Sequence, residues 1–235
     1  VEKRTVIQTR RYIAEAFVLG LLLTTLMLGL TQWLTETEIN WFETASVFFS
    51  FACTWLCTRQ VRFNYVLAVI STSLLVITFW QADLYGSMAV NIYLIPTVIY
   101  GWFVWGKDTN PKPVTHVGLK ALPLYVLATA VTWGGAVLIV NHYGGTLAGF
   151  DGWILVGTVL AQFLMDRKKL ENWLVWIAVN IVSIGVYIDS GLYLLAFQFG
   201  LFILNAVVAL IQWNKTMKTQ TRETITIQSV NPAGA

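Results

Sequence analysis

Apolar residues in this chain do not alternate as in a half-buried strand, nor do they form the single stripe of a soluble helix. They come in long unbroken runs. Eight runs can be drawn, over residues 12–34, 40–58, 64–81, 84–106, 119–141, 148–166, 171–189 and 191–213. The connections between them are short, and the longest, KDTNPKPVTHV, has the Pro and Asn chemistry of a loop. A helix needs roughly 20 predominantly apolar residues to cross hydrocarbon, so the pattern predicts an all-α integral membrane protein of eight transmembrane helices. Composition agrees: 57% of the 235 residues are hydrophobic and 11% are charged, against roughly a quarter charged in soluble domains. One membrane domain fills the length, without room for a soluble one. The first twelve residues, VEKRTVIQTRRY, are basic. The run behind them has no small-residue cleavage site and is expected to be retained as a span.

Charge tests the count of helices. If the N-terminal end is cytoplasmic, all 15 basic residues fall on that side: Lys3 to Arg11, Arg59 and Arg62, Lys107 to Lys120, Arg167 to Lys169, and Lys215 to Arg222. The opposite loops carry Glu36, Glu38, Asp83, Asp151 and Asp189. Lys and Arg bias sets orientation, so both termini are expected in the cytoplasm, with residues 214–235 as a cytoplasmic tail. The net charge of +3 then reflects topology and implies no nucleic-acid partner.

The chain also resembles itself. Displacing it by 108 positions superimposes Arg59 on Arg167, Asn64 on Asn172, Leu84 and Tyr85 on Leu192 and Tyr193, Trp105 on Trp213, and Lys107 on Lys215. The matches fall on the same landmarks of the two halves. Two three-helix units (40–106 and 148–213) are expected, joined by a linker helix (119–141) that lets both lie the same way up. The helix at 12–34 falls outside this scheme. Parallel repeats of this kind hold a solute near the midplane between them.

Polar residues inside the runs carry the chemistry. The stretch LYGSMAVNIYLIPTVIYGWFVWGK (84–107) holds Asn91, Tyr93 and Pro96 near its middle, and lipid tolerates such residues only where they face protein or a water-filled cavity. Pro96 removes a backbone hydrogen bond and is a candidate flexing point for gating. Trp176, Asn180, Ser183 and Tyr187 recur at i, i+4, i+7 and i+11, one face offering a ring, an amide, a hydroxyl and a phenol. Such a face suits a planar, hydrogen-bonding solute; its bland reading is polar glue between helices. Gln198 and Asn205, seven apart, share another face and need partners. Glu43, Ser46, Ser50 and Thr54 form a further stripe, which is either cavity lining or hydroxyls bonded back to their own helix. The pocket is expected among the third, fourth, seventh and eighth helices.

Absences narrow the function. No lysine lies mid-span, which excludes a retinal Schiff base. Cys53 and Cys57 read as small packing residues, and His116 and His142 lie in or near loops on opposite sides. No Walker A stretch, zinc motif or nucleophile elbow occurs. No metal and no cofactor are expected. Glu15, Glu43 and Asp166 sit near span ends and are expected to snorkel to the interface.

The run 84–107, with its Leu-Tyr-Gly start, Asn91, Tyr93, Pro96 and Gly101-Trp102-x-x-Trp105 close, resembles the hallmark segment of the bacterial PnuC family of nicotinamide riboside transporters. ENWLVWIAVNIVSIGVYI (171–188) and FGLFILNAVVALIQW (199–213) are similar to that family's later segments. The resemblance covers roughly residues 40–215. It implies a 3+1+3 helix core related to the SWEET sugar carriers, a homotrimer in the bacterial inner membrane, and passive vitamin uptake followed by trapping through cytoplasmic phosphorylation. One departure is that the family often has a glycine before its final tryptophan, whereas Ala209 to Trp213 contains none. On this reading Trp176, Tyr187, Trp80 and Tyr93 enclose the pyridinium ring, and Asn91, Asn180, Ser183, Gln198 and Asn205 bond the carboxamide and ribose. The alternatives are a related carrier of thiamine, riboflavin or a nucleoside, and, from another class, a membrane enzyme or receptor, for which the bundle supplies no catalytic cluster. A nucleotide is disfavoured because no cation lies at the midplane to meet a phosphate.

Overall fold

The computed structural model describes residues 6–35, 39–81, 85–107, 110–142, 148–189 and 193–230. Leu84 and the acidic residues Glu36, Glu38 and Asp83 lie outside them, as do the side chains of Asp151, Tyr187 and Asp189.

The described residues form eight helices: α1 (Val6–Thr35), α2 (Trp41–Thr58), α3 (Asn64–Gln81), α4 (Tyr85–Val104), α5 (Leu122–His142), α6 (Ala148–Asp166), α7 (Asn172–Asp189) and α8 (Tyr193–Val230). A two-residue ladder, β1 (Gly106–Lys107) with β2 (Asn110–Pro111), closes the turn after α4. Helices are the form an apolar run must take in lipid, because each backbone group then finds its partner within its own segment. Sequence chemistry sets their ends. The Asn40 side chain caps α2, accepting from the Phe42 and Glu43 amides at 3.0 and 3.2 Å. At the other end of α2 the chain reverses through Gln60, whose φ is +58°.

α8 outruns its expected end at residue 213. Nothing between Asn214 and Val230 breaks a helix, and Thr216, Thr219 and Thr221 bond back to the carbonyls four residues earlier.

The main contacts run α2 to α3, α3 to α4, α4 to α6, α6 to α7, α7 to α8, and α8 back to α2, a closed ring of six. α1 packs on α2 just as α5 packs on α6. The displacement of 108 therefore carries each helix of the first half onto a helix of the second, α1 onto α5 included, and α1 is the counterpart of the linker. Four helices return the chain to the side it started from, so the halves are parallel without further device.

The repeat is sharpest at the end bearing Arg59 and Arg167, called here the basic end. Asn64 Nδ2 donates to the Val61 carbonyl at 2.7 Å, and Asn172 Nδ2 to the Lys169 carbonyl at 2.6 Å. Gln60 and its counterpart Lys168 both adopt positive φ, +58° and +51°. The Trp105 indole N–H donates to the Met165 carbonyl at 2.9 Å, while Trp213 reciprocates on the Cys57 carbonyl at 3.3 Å. Cys57 and Met165 are themselves 108 apart, with sulfurs 3.0 Å from each other. The buried core gathers here, with Trp105, Trp173, Trp213 and Tyr65 meeting edge to face at centroid separations of 5.0 to 5.8 Å.

Candidate solute-binding site

α7 turns Leu174, Ile181 and Ile188 outward, at intervals of seven. Trp176, Asn180 and Ser183 therefore lie on the opposite face. Ser183 is fully buried and Asn180 nearly so, and Trp176 rests half-buried on the aromatic core. α8 does the same. Leu204, Val208 and Ile211 face out, while Gln198, Phe202 and Asn205 face in, with Gln198 buried. Since α7 packs on α8, five of the expected residues sit on the inner side of one helix pair. The backbone of Tyr187 continues the α7 face.

The hydrogen bonding of this wall is incomplete. Asn180 and Gln198 make no hydrogen bond among the described residues. Ser183 Oγ is enclosed without a partner. Asn205 Oδ1 accepts from Thr58 Oγ1 at 3.1 Å, but its Nδ2 has none. An unpaired amide or hydroxyl in an apolar interior costs roughly 2 to 7 kcal/mol. Two enclosed groups, Ser183 Oγ and Asn205 Nδ2, with the amides of Asn180 and Gln198 beside them, are what a hydrogen-bonding solute would satisfy.

The remaining expected residues do not join them. Asn91 is on the inner face of α4, half-buried and with a partner. Tyr93 and Pro96 lie on the outward face of α4 with Ile92, Tyr100 and Phe103, and Trp80 is 63% exposed near the end of α3. The two halves also differ in polarity. The repeat counterparts of Asn180 and Ser183 are Thr72 and Leu75, and those of Gln198 and Asn205 are Val90 and Thr97. Three amides and a hydroxyl thus face two hydroxyls and two aliphatic side chains. On α2, Ser46 Oγ and Thr54 Oγ1 each donate at 2.7 Å to carbonyls of their own helix, those of Glu43 and Ser50, the bland one of the two readings of that stripe.

Three features escaped the sequence reading. Phe202, one turn from Gln198 and from Asn205, meets Phe51 of α2 at 5.6 Å, and its spacing could have revealed it. Thr58 holds Asn205 across the halves. Asp166 does not snorkel: it is 2% exposed, and its Oδ1 accepts from Tyr65 Oη at 2.7 Å and Gln162 Nε2 at 2.8 Å. These donors replace the water that a carboxylate at a helix end would otherwise seek. Lys168, also buried, lies 4.6 Å over the Trp105 ring. The loop before α5 runs across the same end, with Thr115 bridging to the Lys168 carbonyl and Leu170 amide, and Glu171 accepting from the Val117 amide at 2.9 Å. Among the described residues no group of His, Cys, Asp and Glu could hold a metal ion.

A family model described as nicotinamide mononucleotide transporter matches residues 40–215, from the cap of α2 to the lysine beyond Trp213. The chain belongs to this family, that of PnuC. It is 25% identical over 195 residues to the nicotinamide riboside transporter PnuC of Escherichia coli strain K12, covering 69% of this chain and 80% of that protein. With PnuC of Haemophilus influenzae it shares 28% identity over 191 residues, 78% of this chain and 83% of the relative. A more distant match, 23% over 143 residues, 57% of this chain and 64% of the other, is the riboflavin/roseoflavin transporter RibM of Streptomyces davaonensis. The crystal structure of the vitamin B3 transporter PnuC superimposes with a TM-score of 0.72 at 22% identity, covering 92% of this chain and 99% of that one. The fold is thus that of PnuC. The protein is a multi-pass membrane transporter, not an enzyme.

Proposed function

We propose that this PnuC-family protein carries nicotinamide riboside across the bacterial inner membrane by facilitated diffusion. The single observation behind this reading is the wall of unpaired, uncharged polar groups on α7 and α8, facing the less polar α3 and α4. A positively charged pyridinium ring would stack on Trp176, and the i, i+4, i+7, i+11 spacing adds Tyr187 to the ring-binding residues. The carboxamide and ribose hydroxyls would engage Asn180, Ser183, Gln198 and Asn205, with Asn91 reaching from the first half. Trp80, Tyr93 and Pro96, on exposed faces, are assigned a part only in flexing or in contacts outside the wall.

The core reads as a SWEET-like 3+1+3 arrangement, α2–α4 and α6–α8 about α5, whose halves rock to give alternating access. Both termini lie in the cytoplasm by the charge rule, and three copies assemble. Cytoplasmic phosphorylation traps the solute and so drives net uptake. The riboside is favoured over the mononucleotide because no Lys or Arg lies on the wall, while the buried Lys168 sits at the basic end. A second reading is another vitamin, thiamine or riboflavin, of which the likeness to RibM favours riboflavin.

Titration calorimetry of the purified protein with nicotinamide riboside, its mononucleotide, thiamine and riboflavin decides between them. We expect saturable binding of the riboside alone. Each of N180A and N205A should weaken it by roughly tenfold or more, the loss of one buried hydrogen bond. Full affinity in both variants would remove the proposed site, and tight mononucleotide binding would contradict the charge argument.

A further inference from the structure

Among the described residues, six hydrogen bonds tie the first three-helix unit to the second: Thr58 to Asn205, Gln60 to Thr216, Tyr65 to Asp166, Trp105 to the Met165 carbonyl, Trp213 to the Cys57 carbonyl, and the weak one from the Cys57 thiol to Met165 Sδ. Each of the six lies toward the basic end. The two tryptophan bonds are repeat counterparts of each other: each ring sits at the close of one unit's last span and docks under the end of the other unit's first helix. Trp105 and Trp213 are 1% and 0% exposed, so neither N–H can exchange this carbonyl for solvent while the halves stay together. A rocking motion that opened the basic end would have to break both at once.

From this geometry we infer that Trp105 and Trp213 are a reciprocal gate that holds the basic end closed, and that Thr58 links it to the solute site. The inference rests on the alternating-access reading above. Asn205 is where the two meet. Its Oδ1 lies 3.1 Å from Thr58 Oγ1, whose single O–H is equally close to the Thr54 carbonyl and can turn to it. A solute donor that displaces Thr58 from Asn205 Oδ1 releases one of the six bonds and leaves the hydroxyl of Thr58 on its own helix. Occupancy that displaces Thr58 therefore weakens the gate. Ring contacts do not supply this coupling, since rings can slide, whereas an N–H to carbonyl bond is lost within about an ångström.

The chain carries its own probe. Cys57 is buried under Trp213, and Cys53 is the only other cysteine. In a Cys53→Ala background, alkylation of Cys57 by a membrane-impermeant maleimide is followed in inverted vesicles, which expose the basic end if it is cytoplasmic, and in right-side-out vesicles. Trp105→Phe and Trp213→Phe keep a six-membered aromatic ring and remove the N–H together with the five-membered ring, while Thr216→Val removes a cross-unit bond with no loss of ring volume. Each should raise the rate from the inverted side by roughly 2- to 10-fold, the shift expected for one lost hydrogen bond. Trp133→Phe, whose indole bonds the Gly149 carbonyl within the second half, should leave the rate unchanged. Thr216→Val removes the Gln60 bond at a less buried position and should act like the tryptophan variants, which keeps the test available if those fail to fold. Nicotinamide riboside should accelerate labelling of the parent but add nothing in Thr58→Val. Parent-like rates in Trp105→Phe, Trp213→Phe and Thr216→Val, or an equal rise in Trp133→Phe, would overturn the gate. The rates without solute do not depend on which vitamin binds, so failure of the gate and failure of the proposed substrate are separable.

Discussion

Gly101 offers a sharp test of how the basic end is built. A Cβ placed on it would fall inside the van der Waals envelope of the Tyr65 ring and of Asp166 Oδ1. Both neighbours are buried, so neither can swing to solvent, and the bond between them, 2.7 Å, would have to lengthen or break. The effects of Gly101→Ala oppose one another. Alanine gains about 1 kcal/mol of helix propensity. Against it stand about 1 to 3 kcal/mol for overpacking and about 1.5 to 3 kcal/mol for the charge-assisted bond. The net is a loss of roughly 1.5 to 5 kcal/mol by those same magnitudes, or a fall in Tm of roughly 3 to 20 °C for a chain of this length. Tryptophan fluorescence during thermal unfolding in detergent measures it. Gly134→Ala is the control, because a Cβ there meets nothing within 4 Å, and it should melt at or slightly above the parent temperature. If Gly101→Ala melts level with Gly134→Ala, the tight packing of Tyr65 on Asp166 is wrong.

Ser183→Ala should separate a solute site from helix glue by the sign of two effects. Removing a buried hydroxyl without a partner should raise Tm, while the affinity for nicotinamide riboside in the same preparation falls several-fold; a fall in both would mark Ser183 as structural. Arg62→Lys should cost about 1 to 2 kcal/mol of stability, read as a lower Tm, because the guanidinium both donates to the Trp102 carbonyl at 2.6 Å and lies 3.9 Å over its ring. Glu171→Ala should free the strap before α5, whose Val117 amide and His116 ring it holds at 2.9 Å, and be seen as faster proteolysis at residues 112–121 with the rest of the chain intact.

The eight helices were legible because lipid leaves an apolar run of that length no other structure. Only the long helical tail of α8 and the ends of some helices differ. The repeat was legible through residues whose roles are now physical: Asn64 and Asn172 close equivalent turns, and Trp105 and Trp213 cross between halves. On α7 the spacing of Trp176, Asn180 and Ser183 identified a face, and the outward stripe of Leu174 and Ile181 tells which way it points. Spacing alone gives no absolute rotation, which is why Tyr93 and Pro96, on the outward side of α4, and the exposed Trp80 were grouped with residues that face in. Asp166 was illegible for a different reason. Its burial depends on Tyr65, 101 positions earlier, and on the missing side chain of Gly101.

The division between what the halves share and what they do not bears on mechanism. At the basic end the halves match turn for turn, and the two tryptophan bonds mirror each other, as a joint that rocks symmetrically would require. Along the helices above it the match fails: α7 and α8 carry three amides and a hydroxyl where α3 and α4 carry Thr72, Leu75, Val90 and Thr97. The two threonines can bond back to their own helices, so the first half offers a solute little that is not already spent. On the alternating-access reading proposed above, a solute held by one wall would travel with that wall when the halves separate. It could then leave on the far side without all its hydrogen bonds breaking in the same instant. Two matched walls would instead be pulled apart together, each opening costing the full set. On that reading an unequal pair of walls on an equal pair of joints would let the barrier be crossed in smaller steps, so that the proposed downhill transport would still be fast.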